Sequence, residues 1–342
     1  MLVSEKFPKI VFRPFYNSDL TQIVRLWNEE NESVSMRQKV DWLMFNRIVL
    51  SKPYFMRNFL WVAVDTSENV GFPYDGKIVG FAHGGFSPNE NLDGVDMSCG
   101  CVAMLVVEKH QDVEFRNEIA DVLLWNLEEE FRKHGARTIT VGAVYPDAPF
   151  YQGMYVGGVS AGIHEMDSFT SALMRRNEYL IHKRYVIYYV DLQKYHFLFS
   201  RERKQIRGSY EVHTVRYPLP ETWWEASAMS ILDYRRYELH SSQGRKRCAK
   251  VFVGKMAIRG MDETRKMLGM YYVQVEKEYR HQGLGFYLVS YLLELLQQQA
   301  KYQFVKSVVP KDNDFACKLF DKLASVQKEQ SMVYQKNLES VS

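Results

Sequence analysis

A glycine turn between a strand-like run and an apolar helix is the feature that most constrains this fold. An apolar, aromatic run at 270–275 leads into Arg280-His-Gln-Gly283-Leu-Gly285, and an apolar helix over 285–301 follows. The N-terminus of such a helix offers unpaired backbone N–H groups, and its dipole favours an anion. Gly283 and Gly285 have no Cβ, so a phosphate can approach the backbone closely. With the permanent charge of Arg280, the pattern predicts a pyrophosphate cradle.

Two familiar phosphate-binding patterns do not fit this turn. The Gly-x-x-x-x-Gly-Lys-Ser/Thr loop is absent, and so is the dinucleotide pattern Gly-x-Gly-x-x-Gly with an acidic residue about 20 positions later. The pattern present, Arg280-x-x-Gly283-x-Gly285, resembles the Arg/Gln-x-x-Gly-x-Gly/Ala signature of the GNAT superfamily of acyl-CoA N-acyltransferases. The residues alone leave open an ordinary glycine turn that opens a helix.

The two halves of the chain echo each other. Val107-Glu-Lys109 precedes a long helix over 114–134, and Val275-Glu-Lys277 precedes the second long helix, 168 residues further on. Such an offset indicates a tandem duplication. The resemblance therefore implies an α/β (α+β) fold of two tandem GNAT-like domains, each a mixed, mostly antiparallel twisted sheet flanked by helices, in an architecture similar to that of mycothiol synthase. We expect a degenerate domain at 1–192, a polar, basic linker at 193–208 and a domain with the acyl-CoA site at 209–342.

The first copy differs from the second where a cofactor would bind. Residues 107–117 contain no glycine and carry Asp112 and Glu114. Carboxylates at this place would repel a pyrophosphate, and the Cβ atoms would block its approach. We expect the first copy to support the fold and to form one wall of an acceptor cleft, with an altered acyl-donor site as the alternative. A glycine-rich stretch at 151–162 is either a connection or a mobile wall of that cleft.

The resemblance implies acetyl-CoA as the co-substrate. The strand before the turn would pair with the pantetheine arm through the backbone of Val273 and Val275. His281 is a candidate base by its ordinary pKa, but its place inside the turn favours a solvated or phosphate-contacting role. The residues implied for the cofactor site are Val273, Val275, Arg280, His281, Gln282, Gly283, Leu284, Gly285, Phe286 and Asn313.

The sequence does not assign the catalytic groups. Attack of an amine on a thioester needs a route for the amine proton, a donor for the oxyanion and an acid for the thiolate. The family acid is often the tyrosine of a motif resembling Asn-x-x-Ala-x-x-x-Tyr. Here Asn313 and Ala316 match that motif, but Phe320 has no hydroxyl. Tyr271, Tyr272 and Tyr334 are the alternative acids; departure of the thiolate unaided, or binding without turnover, also remain open.

Composition narrows the function classes. A net charge of +3 over 342 residues does not favour a nucleic-acid partner. We expect no membrane span, because no uncharged apolar run of about 18 residues is present, and no signal peptide, because the first residues lack an apolar core. Four cysteines make no disulfide framework. Cys99 and Cys101 could form a metal pair, but further ligands at suitable spacing are lacking, so reduced cysteines in a cytoplasmic, metal-free protein are expected.

Three functions remain after these observations. The first is an acyl-CoA-dependent N-acetyltransferase acting on the primary amine of a small molecule, with the acceptor between the halves. The second is a non-catalytic acyl-CoA-binding regulatory or structural module. The third is aminoacyl transfer from aminoacyl-tRNA to a peptide, which the intact cradle and the near-neutral charge disfavour. The acceptor's identity and the oligomeric state are not assigned.

Further local predictions concern two helices and a basic loop. Helices are predicted over 36–49 and over a tryptophan-rich segment at 221–240. The basic run at 244–250 is either a solvated loop or a clamp for an outer phosphate of the cofactor.

Overall fold

The protein is described from a computed structural model. The structure describes residues 2–4, 6–30, 37–67, 76–158, 160–196, 201–230, 232–243, 246–256, 266–323 and 326–338. No helix among these residues is both long and apolar enough to cross a bilayer.

Strands make up most of the regular structure. They are β1 (Leu2–Val3), β2 (Ile10–Pro14), β3 (Leu60–Asp65), β4 (Lys77–Pro88), β5 (Val95–Val107), β6 (Thr138–Val141), β7 (Ile163–His164), β8 (Leu180–Asp191), β9 (Tyr210–Val215), β10 (Leu232–Ser241), β11 (Arg247–Met256), β12 (Met267–Val275), β13 (Phe304–Pro310) and β14 (Val326–Asn337). The helices are α1 (Leu20–Glu29), α2 (Trp42–Phe45), α3 (Val113–Lys133), α4 (Ser168–Arg176), α5 (Arg201–Ser209), α6 (Trp223–Ala228), α7 (Leu284–Gln299) and α8 (Asp314–Asp321). A π-helical turn, Asn46–Leu50, continues α2.

The strands of the described residues form one continuous sheet. Its order is β1-β2-β3-β4-β5-β6-β14-β8-β13-β12-β11-β10-β9, and β7 pairs with β14 beside this path. Two pairs of neighbouring strands are parallel, namely β5 with β6 and β12 with β13. The other pairings are antiparallel, so the sheet is mixed and mostly antiparallel, flanked by helices, as the sequence predicted.

The internal repeat is visible in the register of the two parallel pairs. Cys99 pairs with Thr138 at the start of the first pair, and Met267 pairs with Phe304 at the start of the second. Each pair is joined by a long helix, α3 or α7, and each half ends with a short helix and a strand. The two halves are therefore built from the same succession of elements.

The last strands of the two halves are exchanged. β8, which ends the first half, pairs with β13 of the second half, and β14 pairs with β6 of the first. β8 and β14 also pair with each other over most of their length, from Val326–Val190 to Gln335–Leu180. Each half thus completes its sheet with a strand from the other.

Each long helix packs its apolar stripe onto its own part of the sheet. On α3 the buried residues include Ile119, Leu123, Leu127 and Phe131. The Phe131 ring lies so close to Gly100 that a Cβ there would be 2.7 Å from it. On α7 the buried residues are mostly leucine and valine, so the helix is a core element of the second half.

Two helix predictions need correction. The segment at 221–240 forms α6 only to Ala228 and then strand β10, whose backbone is paired on both sides by β9 and β11. Cross-strand pairing overrides the helical propensity of this segment. The helix predicted over 36–49 begins at Trp42, because the Asp41 side chain accepts a hydrogen bond from Met44 N and caps it there; Met36 lies outside the described residues.

The stretch at 193–208 is partly helical. Helix α5 occupies its second half, and Ile206 packs against the core of the second half of the chain. Residues 197–200 lie outside the described part.

Candidate functional site

The parallel strands β12 and β13 separate at the place where a site would open. Their register runs from Met267–Phe304 to Met270–Ser307. Beyond Ser307, β13 continues in its pairing with β8, and β12 continues in its pairing with β11. Backbone groups on the inner edge of β12, near Val273 and Val275, therefore face a gap instead of a neighbouring strand.

A β-bulge interrupts β12 at the same level. The register with β11 shifts between Lys250 and Phe252. Opposite this shift, Tyr272 has a φ of 57°, in the left-handed region that a bulky residue rarely adopts. A bulge redirects side chains and backbone groups locally. Here it lies beside the opening of the gap.

The predicted turn closes the gap at its far end. After a 3₁₀ turn, Lys277–Tyr279, the chain reaches Gly283, whose φ of 75° places it in the left-handed region as the N-cap of α7. No side chain caps this helix. A Cβ at Gly283 would meet only Ile206 Cδ1, at 3.9 Å. The space beside this N-cap is therefore open, as an anion site at a helix start requires.

Gly285 lies in a different environment from Gly283. A Cβ at Gly285 would be 3.2 Å from Val275 Cγ2 and 3.5 Å from Leu319 Cδ1. This glycine allows α7 to pack closely on β12 and α8. Of its neighbours, Leu284 is buried and Phe286 packs partly against the core of the second half.

Polar side chains surround the turn at its exposed rim. Arg280 Nε donates to Val275 O at 3.1 Å, so its guanidinium folds back over the end of β12. The His281 ring lies edge-on to Phe315, with centroids 5.1 Å apart. Gln282 Nε2 donates to Glu278 O at 3.3 Å. These three side chains are exposed and lie at the start of α7.

Helix α8 lies beside the turn, and its N-cap is Asn313. The Asn313 Oδ1 accepts a hydrogen bond from Ala316 N at 3.1 Å. Phe320, at the position of the tyrosine expected from the motif, is buried and stacks on Tyr188 at 5.0 Å. It therefore belongs to the core of the second half.

A pocket of about 140 Å³ lies next to the bulge, between the two halves. We call it the inter-half pocket. The residues lining it are Leu92, Tyr145, Glu221, Thr222, Glu225, Met229, Tyr234, Lys250, Phe252, Tyr271, Tyr272 and Gln274. Leu92 and Tyr145 come from the first half, and the rest come from the second half.

Aromatic rings line this pocket together with two carboxylates, Glu221 and Glu225, of which Glu221 pairs with Lys250. The Tyr272 centroid is 5.8 Å from Tyr145 and 6.1 Å from Phe252, and Tyr234 is 5.8 Å from Phe252. Glu225 Oε1 accepts a hydrogen bond from Tyr234 Oη at 3.1 Å. Electron-rich ring faces around a carboxylate attract a cation. The Glu225 carboxylate and the ring faces together can attract a cationic group.

Of the three alternative tyrosines, two line the inter-half pocket and one does not. The Tyr271 hydroxyl is buried and has no hydrogen-bond partner within the described ranges. Burial raises the pKa of Tyr271 above its usual value, so the group stays protonated. Tyr334 lies in the core of the first half and is 3% exposed. Its packing makes Tyr334 a core residue.

The basic run near 244–250 is engaged with carboxylates. Lys250 Nζ lies 2.6 Å from Glu221 Oε2, and Arg247 Nη1 lies 3.3 Å from Glu221 Oε1. Gly244 and Arg245 lie outside the described residues. The described part of this run is thus an ion-pair network at the wall of the inter-half pocket.

The corresponding helix start in the first half is closed. The Asp112 Oδ1 accepts hydrogen bonds from Glu114 N at 2.9 Å and from Phe115 N at 3.2 Å. A carboxylate of the chain itself thus occupies the place that is open at Gly283. This geometry agrees with the repulsion argument made from the sequence.

Sequence reasoning missed several residues of the inter-half pocket. Glu225 and Tyr234 were assigned to one long helix, whereas they lie on α6 and β10 and meet across the pocket. Tyr145 reaches the pocket from the first half, and no local pattern marks such a residue. The sequence contains 22 tyrosines, 20 phenylalanines and 6 tryptophans, but it does not show which of these rings meet.

Comparison with known proteins gives the same fold. Residues 202–324 match the Acetyltransferase (GNAT) family, and no curated protein matches the sequence. A tandem GNAT protein from the clavulanic acid biosynthesis pathway has a TM-score of 0.63 at 14% identity, covering 96% of this chain and 98% of that one. A GCN5-related N-acetyltransferase from Sphaerobacter thermophilus has a TM-score of 0.59 at 12% identity, covering 98% and 97%.

A longer protein is similar over part of its length. The GCN5-related glucosamine N-acetyltransferase region of a fungal multi-domain GH3 β-N-acetylglucosaminidase has a TM-score of 0.62 at 17% identity; 96% of this chain matches 38% of that chain. At these identities the likeness concerns the fold. The chain has a tandem GNAT fold, and its C-terminal region matches the GNAT acetyltransferase family in sequence.

Proposed function

We propose that this protein is an acyl-CoA-dependent N-acetyltransferase that moves the acetyl group of acetyl-CoA to a primary amine of a small molecule. The observation that carries the proposal is the uncapped N-terminus of α7 at Gly283, at the end of the gap between β12 and β13. The family match over residues 202–324 supports acetyl-CoA as the co-substrate.

The donor site belongs to the second half. The pyrophosphate lies against the N–H groups of 282–286, with Arg280 and His281 at the rim. The pantetheine arm follows the open edge of β12 at Val273 and Val275. Asn313 acts through its cap of α8, which packs beside the turn. This arrangement leads the thioester towards the bulge at Tyr272.

The acceptor occupies the inter-half pocket. The Glu225 carboxylate, held by Tyr234, attracts the amine, and the surrounding rings favour its charged form on arrival. The amine must lose a proton before its nitrogen attacks the thioester carbonyl. That proton goes to solvent. The new C–N bond then forms, the nitrogen releases its second proton to solvent, the C–S bond breaks, and the departing CoA sulfur takes up a proton.

The Tyr271 hydroxyl is the proposed source of that last proton. It lines the inter-half pocket, is buried, and has no acceptor among the described residues. A neutral donor in a dry site is a suitable acid for a leaving thiolate. Solvent returns a proton to the phenolate after the product leaves.

The first test is calorimetric titration with acetyl-CoA of the wild type and of two glycine variants. Gly283→Glu places a carboxylate and a Cβ in the open cradle. Gly135→Glu is the matched control, since Gly135 also has a positive φ of 82° and open space around its Cβ position. Both variants cost about 1–2 kcal/mol in backbone strain. We expect acetyl-CoA binding to be lost only in Gly283→Glu.

A turnover assay with a panel of amines separates the two leading functions. Acetylated product from a small-molecule amine supports the proposal. Acetyl-CoA binding with no product across the panel supports the non-catalytic acyl-CoA-binding module, which the buried Phe320 favours. No acetyl-CoA binding by the wild type overturns both functions.

The proposed compartment is the cytoplasm. The four cysteines within the described residues are free, including Cys99 and Cys101. Burial raises the pKa of Cys101 to about 12, so its thiol is unreactive.

A further inference from the structure

The first half contains a larger cavity than the inter-half pocket. β5 and β6 pair from Cys99–Thr138 to Val102–Val141 and then separate, as β12 and β13 do. The gap holds a cavity of about 280 Å³. We call it the first-half cavity. Its apolar wall includes Val102, Met104 and Leu105 of β5 with Leu173 of α4.

The first-half cavity has no place for a pyrophosphate. At the start of α3, the carboxylate of Asp112 accepts the N–H groups of Glu114 and Phe115. The Glu114 carboxylate stands on the same turn and pairs with Lys6. A ligand of this cavity therefore binds by groups other than a diphosphate at the helix end.

The charged residues in the lining favour an anion. Four of them are cationic, namely Arg37, Lys109, Arg116 and Lys306, and two are carboxylates, namely Glu30 and Asp167. Lys306 comes from β13 of the second half, and its Nζ donates to Val156 O at 3.0 Å. Both carboxylates hold backbone groups. Glu30 Oε1 accepts from Lys109 N at 2.8 Å, and Asp167 Oδ1 accepts from Thr170 N at 3.0 Å and so caps α4. The balance of formal charge in the lining is positive. Burial lowers the pKa of Arg116, and Glu30 and Asp167 lie near enough to act in the opposite direction.

Arg116 supplies the specific binding group. Its Nε is buried and has no hydrogen-bond partner in the part of the chain that the structure describes. Its guanidinium lies 3.7 Å from the centroid of the Phe169 ring, which fixes the plane of the fork. The Nη2 group reaches Val107 O only at 3.5 Å. A planar guanidinium with spare donors matches a carboxylate.

We propose that the first-half cavity binds a small apolar molecule with a single carboxylate, its head on Arg116 and its body against β5. The inference is independent of acetyl transfer in the second half. It gives the first half a ligand of its own, chemically distinct from an acyl-CoA.

The test uses octanoate and, as its uncharged match, 1-octanol, titrated calorimetrically into the full chain. We expect octanoate to bind at least tenfold more tightly than 1-octanol. Arg116→Gln is expected to lower the affinity for octanoate about tenfold and to leave the affinity for 1-octanol unchanged. Arg280→Gln, at the second half's turn, is the control and should bind octanoate as the wild type does.

Several results would overturn the inference. The first is that octanoate does not bind, and the second is that it binds no more tightly than 1-octanol. The third is an equal loss of octanoate affinity in Arg280→Gln and Arg116→Gln. Displacement of octanoate by acetyl-CoA would place it in the donor site of the second half. If Arg116→Gln does not fold, Arg116→Lys keeps the charge without the fork. A several-fold loss of octanoate affinity in that variant supports the inference, and an unchanged affinity counts against it.

Discussion

Gly283 and Gly285 lie in the same turn but have different structural roles. At Gly283 the missing Cβ leaves open space in front of a left-handed N-cap, whereas at Gly285 it lets Val275 and Leu319 pack against the helix. The motif therefore combines one glycine that leaves the start of a helix open with a second glycine that allows close packing. Only the surroundings of each residue tell them apart.

Removing the Tyr271 hydroxyl tests the proposed acid. We expect Tyr271→Phe to lower kcat about 100-fold or more, as general acid catalysis typically contributes, with little change in KM for acetyl-CoA. Because burial raises the pKa of Tyr271, its titration does not shape the activity profile near neutral pH. Steady-state kinetics over a pH series checks both points.

The controls for this variant are two other tyrosines. Tyr334→Phe changes a core residue of the first half and should leave kcat unchanged. Tyr272→Phe keeps the ring beside Tyr145 and Phe252, so its kcat should change less than that of Tyr271→Phe. Equal losses in Tyr271→Phe and Tyr272→Phe would remove Tyr271 from the mechanism.

At the scale of elements, the starts of three helices differ in whether a side chain caps them. α7 begins without a side-chain cap, α3 begins with Asp112, and α8 begins with Asn313. A cap satisfies N–H groups that would otherwise bind an anion. Both halves thus keep the strands and helices of the duplicated fold. The long helix of the second half, α7, begins without a side-chain cap, whereas that of the first half, α3, is capped.

Removing the two caps should separate stability from cofactor binding. Asp112→Ala and Asn313→Ala each lose a side-chain cap, at about 1 kcal/mol of unfolding free energy. Only Asn313→Ala should also lower the affinity for acetyl-CoA, because α8 packs on the turn through Leu319 and Phe315. Chemical denaturation and calorimetry measure the two effects. A weaker affinity in Asp112→Ala would mean that the first half takes part in binding acetyl-CoA.

Local patterns predicted elements well where the pattern is long or capped. The strand-like run at 270–275 lies in β12, Met267–Val275, and the helix predicted over 114–134 forms α3, Val113–Lys133. The failure at 221–240 arose because Tyr234 and Tyr237 fit a helical stripe as well as a strand. The choice between them depends on β9 and β11, which are distant contacts that a local pattern does not contain.

At the scale of the whole molecule, the exchange of β8 and β14 joins the halves into one sheet. The sequence shows two similar halves, and a linear reading assigns each its own last strand. Both strands are antiparallel partners with apolar positions, so nothing local decides whether β8 lies beside β6 or β13. The inter-half pocket depends on this arrangement, since residues of both halves must meet to form it.

Cutting the chain between the halves tests this dependence. A fragment of 1–196 keeps β8 but lacks its partners β13 and β14, and a fragment of 197–342 lacks β8 between those two strands. We expect neither fragment to show cooperative unfolding by circular dichroism when expressed alone, and we expect the two to copurify when co-expressed. The reassembled pair should bind acetyl-CoA as the intact chain does, because the turn at Gly283 and the gap at β12 are restored. If 197–342 folds cooperatively and binds acetyl-CoA alone, the exchanged strand is dispensable for the donor site, and the halves are independent domains in energetic terms.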